Sequence, residues 1–202
     1  IPDFSEEPSV LVGQPAATKP PPPATIEAAR RTAAFAYAKL GELEMRKQRF
    51  PWAEDHISKA VWWDESLPGI QVLQAWVRYQ SGDLMEAIDP IKTGLRQQPR
   101  NPDALQLLTR ITIDLIDNQR LREAEECAGF LLSLEPETAY FYVLRGRIKA
   151  EEGDFQAALK DFARALELNP GIPEAHYNSG VLKLKDGNIE AAVQEFDLEL
   201  QI

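Results

Sequence analysis

The sequence predicts an all-α fold, a solenoid of about five helical hairpins stacked side by side. The first observation behind this prediction is a set of alanines that stand 34, 37, 34 and 34 residues apart: Ala53, Ala87, Ala124, Ala158 and Ala192. The second is that each alanine follows an apolar residue by three positions and precedes another by four. A period this regular is typical of one supersecondary unit copied along the chain, since each copy buries its apolar face only against its neighbours.

Each copy contains two stretches with helical apolar periodicity, and a short turn separates them. Gly82, Gly153 and Gly187 mark this inner turn, because glycine readily ends a helix in the left-handed region. Prolines mark the turn between copies. The copies are laid out as residues 34–67, 68–101, 102–138, 139–172 and 173–202, with residues 25–33 extending the first helix. The third copy holds three extra residues, which we place between Ile111 and Asn118, and they predict a longer first helix.

Residues 1–24 form a separate segment, and residues 25–202 form the array. Seven prolines fall within the first 23 positions, and they end in the run from Pro20 to Pro23. Proline fixes φ and removes backbone donors, so this segment is expected to be extended and largely polyproline II. It is interpreted as a linker or as a docking segment, since Phe4, Leu11 and other apolar residues could pack on the helical array or on an upstream domain. The proline run could instead bind a proline-recognising module.

Composition narrows the classes of function. A net charge of −10 and a pI near 4.8 argue against a nucleic-acid partner, whose phosphates the protein would repel. No apolar run approaches the ~20 residues that cross a bilayer, so we expect a soluble protein. The compartment, cytoplasmic or periplasmic, cannot be read from the sequence. The single cysteine, Cys127, is expected to be a buried apolar residue of a helix.

Residue patterns that carry chemistry are few in this chain. His56 and His176 fall at different places in their copies, and neither is paired with another histidine or cysteine at a ligand spacing. Neither a phosphate-binding glycine loop nor a nucleophile elbow occurs in the sequence. We therefore predict a protein that is not an enzyme and that holds neither metal nor cofactor.

The spacing resembles that of the tetratricopeptide repeat, a helical hairpin with a few characteristic small, large and proline positions. The resemblance covers residues 34–202 and is best in the last two copies, at Gly146, Ala158 and Phe162 and again at Gly180, Ala192 and Phe196. In the most divergent copy, the third, the small position is either Thr109 or Thr112. The small residues are expected to face the repeat alanine of the second helix, so that the two backbones approach closely.

The resemblance implies a right-handed superhelix whose concave face is lined by the first helix of each copy. By helical phase, the candidate groove residues are Trp76, Tyr79, Arg110, Tyr140, Arg147, Tyr177 and Asn178, and Phe35 and Ala38 also look inward. Aromatic residues and arginine are enriched at binding hot spots, and such a groove suits an extended or helical peptide. The aromatic residues could instead pack between hairpins. Some members of the family clamp a partner's terminal carboxylate, but only Asn178 matches that clamp, so this mode is not expected.

The two arginines carry the most specific hypothesis. If the three extra residues follow Arg110, then Arg110 and Arg147 occupy equivalent places and project into the same groove. They would then favour an acidic segment of a partner, held by bidentate hydrogen bonds. In the alternative, each arginine pairs with a groove carboxylate such as Asp114 or Glu151 and stabilises the stack.

The sequence as a whole favours a non-enzymatic scaffold or adaptor that binds a protein or peptide. A first alternative is a regulatory or substrate-binding extension of a larger enzyme. A second alternative is a self-assembling scaffold, because the last copy presents Val193, Phe196 and Leu200 with no following hairpin to cover them. That copy also has no closing proline, so we expect homo-oligomers or a natural chain that continues.

Overall fold

A computed structural model describes residues 23–202, and the expectations for residues 1–22 lie outside this range. The secondary structure of residues 23–202 consists of ten α-helices. They are α1 (Pro23–Arg46), α2 (Phe50–Trp63), α3 (Ile70–Gln80), α4 (Leu84–Gln97), α5 (Pro102–Asp117), α6 (Leu121–Leu134), α7 (Ala139–Glu151), α8 (Phe155–Leu168), α9 (Ala175–Lys185) and α10 (Ile189–Glu199). The first helix begins at Pro23, two residues before the predicted start, because a first helical turn tolerates proline.

The helices pack as five antiparallel hairpins, α1 with α2 through α9 with α10, and each hairpin packs against the next. The first helices of successive hairpins also contact one another, whereas successive second helices within residues 23–202 have no comparable contact. A stack whose first helices are closer together curves toward them. The first helices therefore line the concave face, and the predicted all-α superhelical solenoid is confirmed.

The inner turn has the same geometry in all five hairpins. One residue in each turn has a positive φ: 57° at Gln48, 89° at Gly82, 58° at Gln119, 84° at Gly153 and 81° at Gly187. Each of these residues stands five positions before a repeat alanine. In every turn, the N–H that follows this residue donates to the carbonyl five positions earlier, as in a Schellman motif. This left-handed residue gives the five hairpins a common register.

The register shows where the third copy is longer. Seven positions before each left-handed residue stands a buried small residue: Gly41, Ala75, Thr112, Gly146 or Gly180. Of the two candidates in the third copy, Thr112 therefore holds the small position. Its Oγ1 donates to the Leu108 carbonyl at 2.7 Å, which satisfies the buried hydroxyl. The extra residues thus precede Thr112 and lengthen the start of α5, so their predicted placement between residues 111 and 118 is wrong.

Close packing inside each hairpin explains the small residues. A Cβ placed on Gly146 would lie 2.5 Å from Cε1 of Phe162, and one on Gly180 would lie 2.6 Å from Cε1 of Phe196. A Cβ on Gly41 would likewise overlap Ile57. The small residues therefore face mainly the apolar residue four positions after the repeat alanine, and the prediction that they face the alanine itself is corrected. A large side chain fills the space that the small one leaves.

A polar contact joins the two helices of the fourth hairpin. Arg145 on α7 donates from Nε and Nη2 to the two carboxylate oxygens of Asp161 on α8, at 2.7 and 2.6 Å. Asp161 is buried, and the Arg145 guanidinium also lies 5.4 Å from the centre of the Tyr142 ring. Two parallel charge-assisted hydrogen bonds fix the relative position of the helices, which a single pair would not do.

Among the helices of residues 23–202, none combines the length and the apolar character that a membrane crossing requires.

Candidate functional site

The seven candidate groove residues lie on four successive first helices, the helices that line the concave face. Trp76 and Tyr79 lie on α3, Arg110 on α5, Tyr140 and Arg147 on α7, and Tyr177 and Asn178 on α9. Arg110 and Tyr177 are exposed, and the other five are half-buried. The structure therefore spreads them over four helices rather than gathering them in one enclosed pocket.

The first polar contact across the groove joins α3 to α5. The Tyr79 hydroxyl donates to Oδ2 of Asp114 at 2.8 Å, and the Trp76 ring meets the Tyr79 ring edge-on with a centroid distance of 6.1 Å. Burial raises the pKa of Tyr79, and its hydrogen bond to Asp114 raises it further, while the positive charge of Arg110 acts in the opposite direction. Tyr79 thus remains a neutral donor that holds Asp114 in place.

The second contact joins three hairpins through Arg147. Its Nη2 donates to Oδ1 of Asp117 on α5 at 3.2 Å, and its Nη1 lies 3.8 Å from a carboxylate oxygen of Glu174 at the start of α9. Burial raises the pKa of the neighbouring Tyr140, and Glu174 adds to this effect while Arg147 opposes it. Arg147 therefore pairs with groove carboxylates, although with Asp117 and Glu174 rather than with Asp114 or Glu151.

Counted from the left-handed turn residue, Arg110 and Arg147 do not occupy equivalent positions in their copies. Arg147 stands six positions before its left-handed turn residue, and the residue six positions before Gln119 is Ile113, not Arg110. Arg110 stands nine positions before Gln119, where the fourth copy has the buried Leu144. The predicted equivalence of Arg110 and Arg147 is therefore wrong, because the extra residues precede Arg110's helical turn rather than follow it. Arg110 is exposed, and within residues 23–202 no carboxylate oxygen lies within 4.0 Å of its guanidinium.

The α9 candidates take part in local contacts. The Asn178 side-chain amide donates to the Glu174 carbonyl at 2.7 Å, and the Tyr177 ring packs against Phe196 with a centroid distance of 5.9 Å. Glu199 of α10 accepts from the backbone N–H groups of Glu174 and Tyr177 at 2.8 and 3.1 Å. A carboxylate at a helix N-terminus satisfies N–H groups that have no partner within the helix. The α9 candidates therefore contact residues of their own hairpin.

An apolar cleft beside α1 and α3 contains the candidate Trp76 and the inward-looking Phe35 and Ala38, together with residues that the sequence did not single out. It encloses about 290 Å³ and is lined by Phe35, Ala38, Leu73 and Trp76, with Lys39, Glu42 and Asp103 among its polar residues. The turn between the first two hairpins supplies Leu67, Pro68 and Gly69. Phe35, which was expected to look inward, stands thirteen positions before its turn residue, as Tyr140 does. Leu67, Pro68 and Gly69 lie in the turn between hairpins, and the repeat pattern gives no indication that they line a cleft.

Elsewhere in the described residues, no group of three or more His, Cys, Asp or Glu side chains is placed to hold a metal ion. His176 contacts Glu195 through Nδ1 at 2.6 Å, and Lys183 donates to the same carboxylate at 2.5 Å. Burial raises the pKa of Glu195, but the hydrogen bonds from Lys183 and His176 outweigh it and leave the pKa below its ordinary value. Burial also raises the pKa of Cys127 to about 11, and the expectation that Cys127 is a buried helix residue is confirmed.

Comparisons with known proteins agree with this architecture. Residues 143–202 match the family model of the tetratricopeptide repeat. The human mitochondrial import receptor subunit TOM70 is 23% identical over 130 residues, which make up 64% of this chain and 21% of that protein. The chain thus spans about a fifth of the length of the curated relatives it matches.

Two solved structures are similar over most of the chain. MamA from Desulfovibrio magneticus RS-1 has a TM-score of 0.65 at 15% identity, over 84% of this chain and 94% of MamA. YrrB, described as a TPR protein with an unusual peptide-binding site, has a TM-score of 0.64 at 24% identity, over 88% of this chain and 90% of YrrB. The matched repeat of residues 143–202 and the solenoid of five uniform hairpins both resemble those of tetratricopeptide repeat proteins.

Proposed function

We propose that this protein is a non-enzymatic scaffold or adaptor that binds an extended or helical segment of a protein partner along its concave groove. The observation that carries the proposal is the row of half-buried aromatic side chains on α3 and α7, namely Trp76, Tyr79 and Tyr140. Each combines a large apolar surface with a polar group, and such residues bury area on binding at a low entropic cost. The peptide-binding site in YrrB's description supports the same use of this fold.

Arg110 is the residue proposed to select the partner. Its guanidinium is exposed and has no ion pair within the described residues, so a partner's carboxylate could accept two hydrogen bonds from it without displacing another group. Asp114 lies one helical turn further on the same helix, and Asp117 follows it. These carboxylates would repel a run of acidic residues. The groove therefore suits a segment with a single acidic side chain followed by apolar or donor groups.

Replacing Arg110 by alanine tests this assignment once a partner has been isolated from native extract. The loss of a charge-assisted hydrogen bond, worth about 1.5–3 kcal/mol, is expected to weaken binding about 10- to 150-fold. Arg122→Ala is the matched control, because Arg122 lies on the second helix α6 with its side chain 89% exposed. Affinity should not change in this control. Equal affinity of both variants and the parent protein would refute the role of Arg110.

A second candidate is self-assembly through the last hairpin. Val193 and Leu200 on the outer side of this hairpin are 50% and 86% exposed, whereas Phe196 is partly buried because its ring packs against Gly180. Light scattering over a range of concentrations is the test. A mass that rises with concentration, and that falls to the monomer in the Val193→Glu variant, would support self-assembly, and a constant monomer mass would exclude it.

A further inference from the structure

The surface beside α1 carries a cleft longer than the cavity described above. A second, more open depression of about 550 Å³ lies toward the start of the helix, lined by Ala24, Ala28, Thr32 and other residues. Phe35 and Leu67 line both depressions. The two depressions adjoin at these shared residues, and we term them together the α1 cleft.

The α1 cleft leaves an unusually long helix partly uncovered. The first helix has 24 residues, whereas α3 and α9 have 11 each. Its extra turns present an exposed face of small and apolar residues, among them Ile26, which is 45% exposed, and Phe35, which is 55% exposed. Helical stability in proteins comes mostly from packing an apolar face, and a large exposed apolar strip marks an interaction site.

We propose that the occupant of the α1 cleft is the chain's own segment of residues 4–12. This segment lies ten residues before α1 and holds Phe4 and the apolar run Val10, Leu11 and Val12. Pro23 lies twelve positions after Leu11, and twelve steps can span about 37 Å at ~3.1 Å per residue of polyproline II. The twelve residues from Pro23 to Phe35 cover only about 18 Å of helix at ~1.5 Å per residue. The segment is therefore long enough to turn back and place Leu11 against Phe35 or Trp76.

The contact is expected to rest on apolar residues rather than on charge. The two cations beside the cleft already pair with carboxylates, Arg31 with Asp64 at 3.5 Å and Lys39 with Glu42 at 2.8 Å. Because the segment and the cleft belong to one chain, the effective concentration is in the millimolar range and a weak contact suffices.

Occupation of the α1 cleft would affect the groove, because Trp76 belongs to both. A partner that covers Trp76 would compete with the segment, and the segment would then lower the apparent affinity for that partner. This inference extends the proposed function but does not depend on it, since the segment can occupy the cleft whether or not a partner exists.

Paramagnetic relaxation in the full chain tests the inference. A nitroxide label is attached to a Ser9→Cys variant, while Cys127 is buried and stays unlabelled. We expect strong broadening of the backbone amide signals of Phe35 and of residues 69–76. In the matched control, Leu11→Asp is added to the same labelled variant, and this broadening should disappear while the spectrum of α5–α10 is retained.

Two outcomes would overturn the inference. Broadening confined to the first turn of α1 would show that the cleft does not hold the segment. Equal broadening in a mixture of labelled chains with isotope-enriched unlabelled chains would assign the contact to a second copy. Partner binding by the Arg110→Ala variant is measured separately, so a failure here leaves the proposed groove function standing.

Discussion

Replacing Gly146 by alanine tests the packing that fixes the hairpin register. The new Cβ would lie 2.5 and 2.7 Å from Cε1 and Cδ1 of Phe162, where carbon atoms normally prefer about 3.5–4.0 Å. Phe162 is fully buried, so its ring cannot move aside without displacing its own neighbours. Overpacking of this kind costs about 1–3 kcal/mol. Alanine is also more favourable than glycine in a helix by about 1 kcal/mol. The change in the free energy of unfolding of Gly146→Ala alone would therefore be smaller than the cost of the clash.

Gly129→Ala separates the two effects. Gly129 lies in the middle of α6 and is exposed, and a Cβ added there would meet nothing within 4 Å, so this variant gains only the helix propensity of alanine. The free energies of unfolding of the two variants should therefore differ by about 1–3 kcal/mol. Urea denaturation followed by circular dichroism measures the gap, which is about 0.5–1.5 M in midpoint for a slope of ~2 kcal/mol per molar.

A double variant identifies Phe162 as the cause. Leucine at position 162 lacks the ring atoms that the new Cβ would meet, so Gly146→Ala should cost less in a Phe162→Leu background. A coupling free energy of about 1 kcal/mol or more is expected, as for residues in direct contact. Gly146→Ala and Gly129→Ala with the same stability would refute the packing argument.

Three further predictions concern single residues. Ala158→Leu should lower the free energy of unfolding by about 1–3 kcal/mol, since Ala158 is fully buried, and an unchanged melting curve would contradict this. Cys127 should react with a thiol reagent only on unfolding, because it is buried with a pKa raised to about 11, and rapid reaction of the native protein would be inconsistent with the fold. The Glu195 pKa is lowered, so Lys183 and His176 lend stability above pH 4.5 that is lost as the pH falls below it. Glu195→Gln should flatten the acid limb of the stability curve, and an unaltered limb would refute the assignment.

The repeat alone was enough to predict the hairpins, because the burial of one apolar face imposes the same spacing on every copy. The alanines and the inner turns reappear in the structure at the same offset in all five hairpins. In two of these turns, the left-handed residue is a glutamine, Gln48 or Gln119, which tolerates that conformation far less readily than glycine. The regular spacing of the alanines still located those turns.

The position of the extra residues could not be predicted in the same way. A spacing of 37 between alanines gives the number of inserted residues but not their place, since a lengthened helix keeps its apolar face at either end. Burial at the close contact settles the matter, because only Thr112 fits the small position there. A threonine is an unusual occupant of that position, and it is tolerated because its hydroxyl bonds within the helix.

The carboxylate partners of Arg147 were missed for a related reason. Glu174 lies 3.8 Å from the guanidinium, and it adopts a left-handed backbone, with a φ of 69°, just before α9 begins. A glutamate in that conformation gives no signal in the sequence. Asp117 lies three residues beyond Asp114, and one helical turn of uncertainty in the register of α5 was enough to exchange the two.

The corrected register changes what the two arginines can do. Arg147 is partly buried between two carboxylates on neighbouring hairpins, and breaking such a partly exposed pair costs about 0–1 kcal/mol of stability. Arg110 is exposed and has no ion pair within the described residues, so its loss should leave stability nearly unchanged and act on a ligand. A variant that removes both arginines would mix these effects. Single replacements are therefore needed, with thermal stability as the readout for Arg147 and partner affinity as the readout for Arg110.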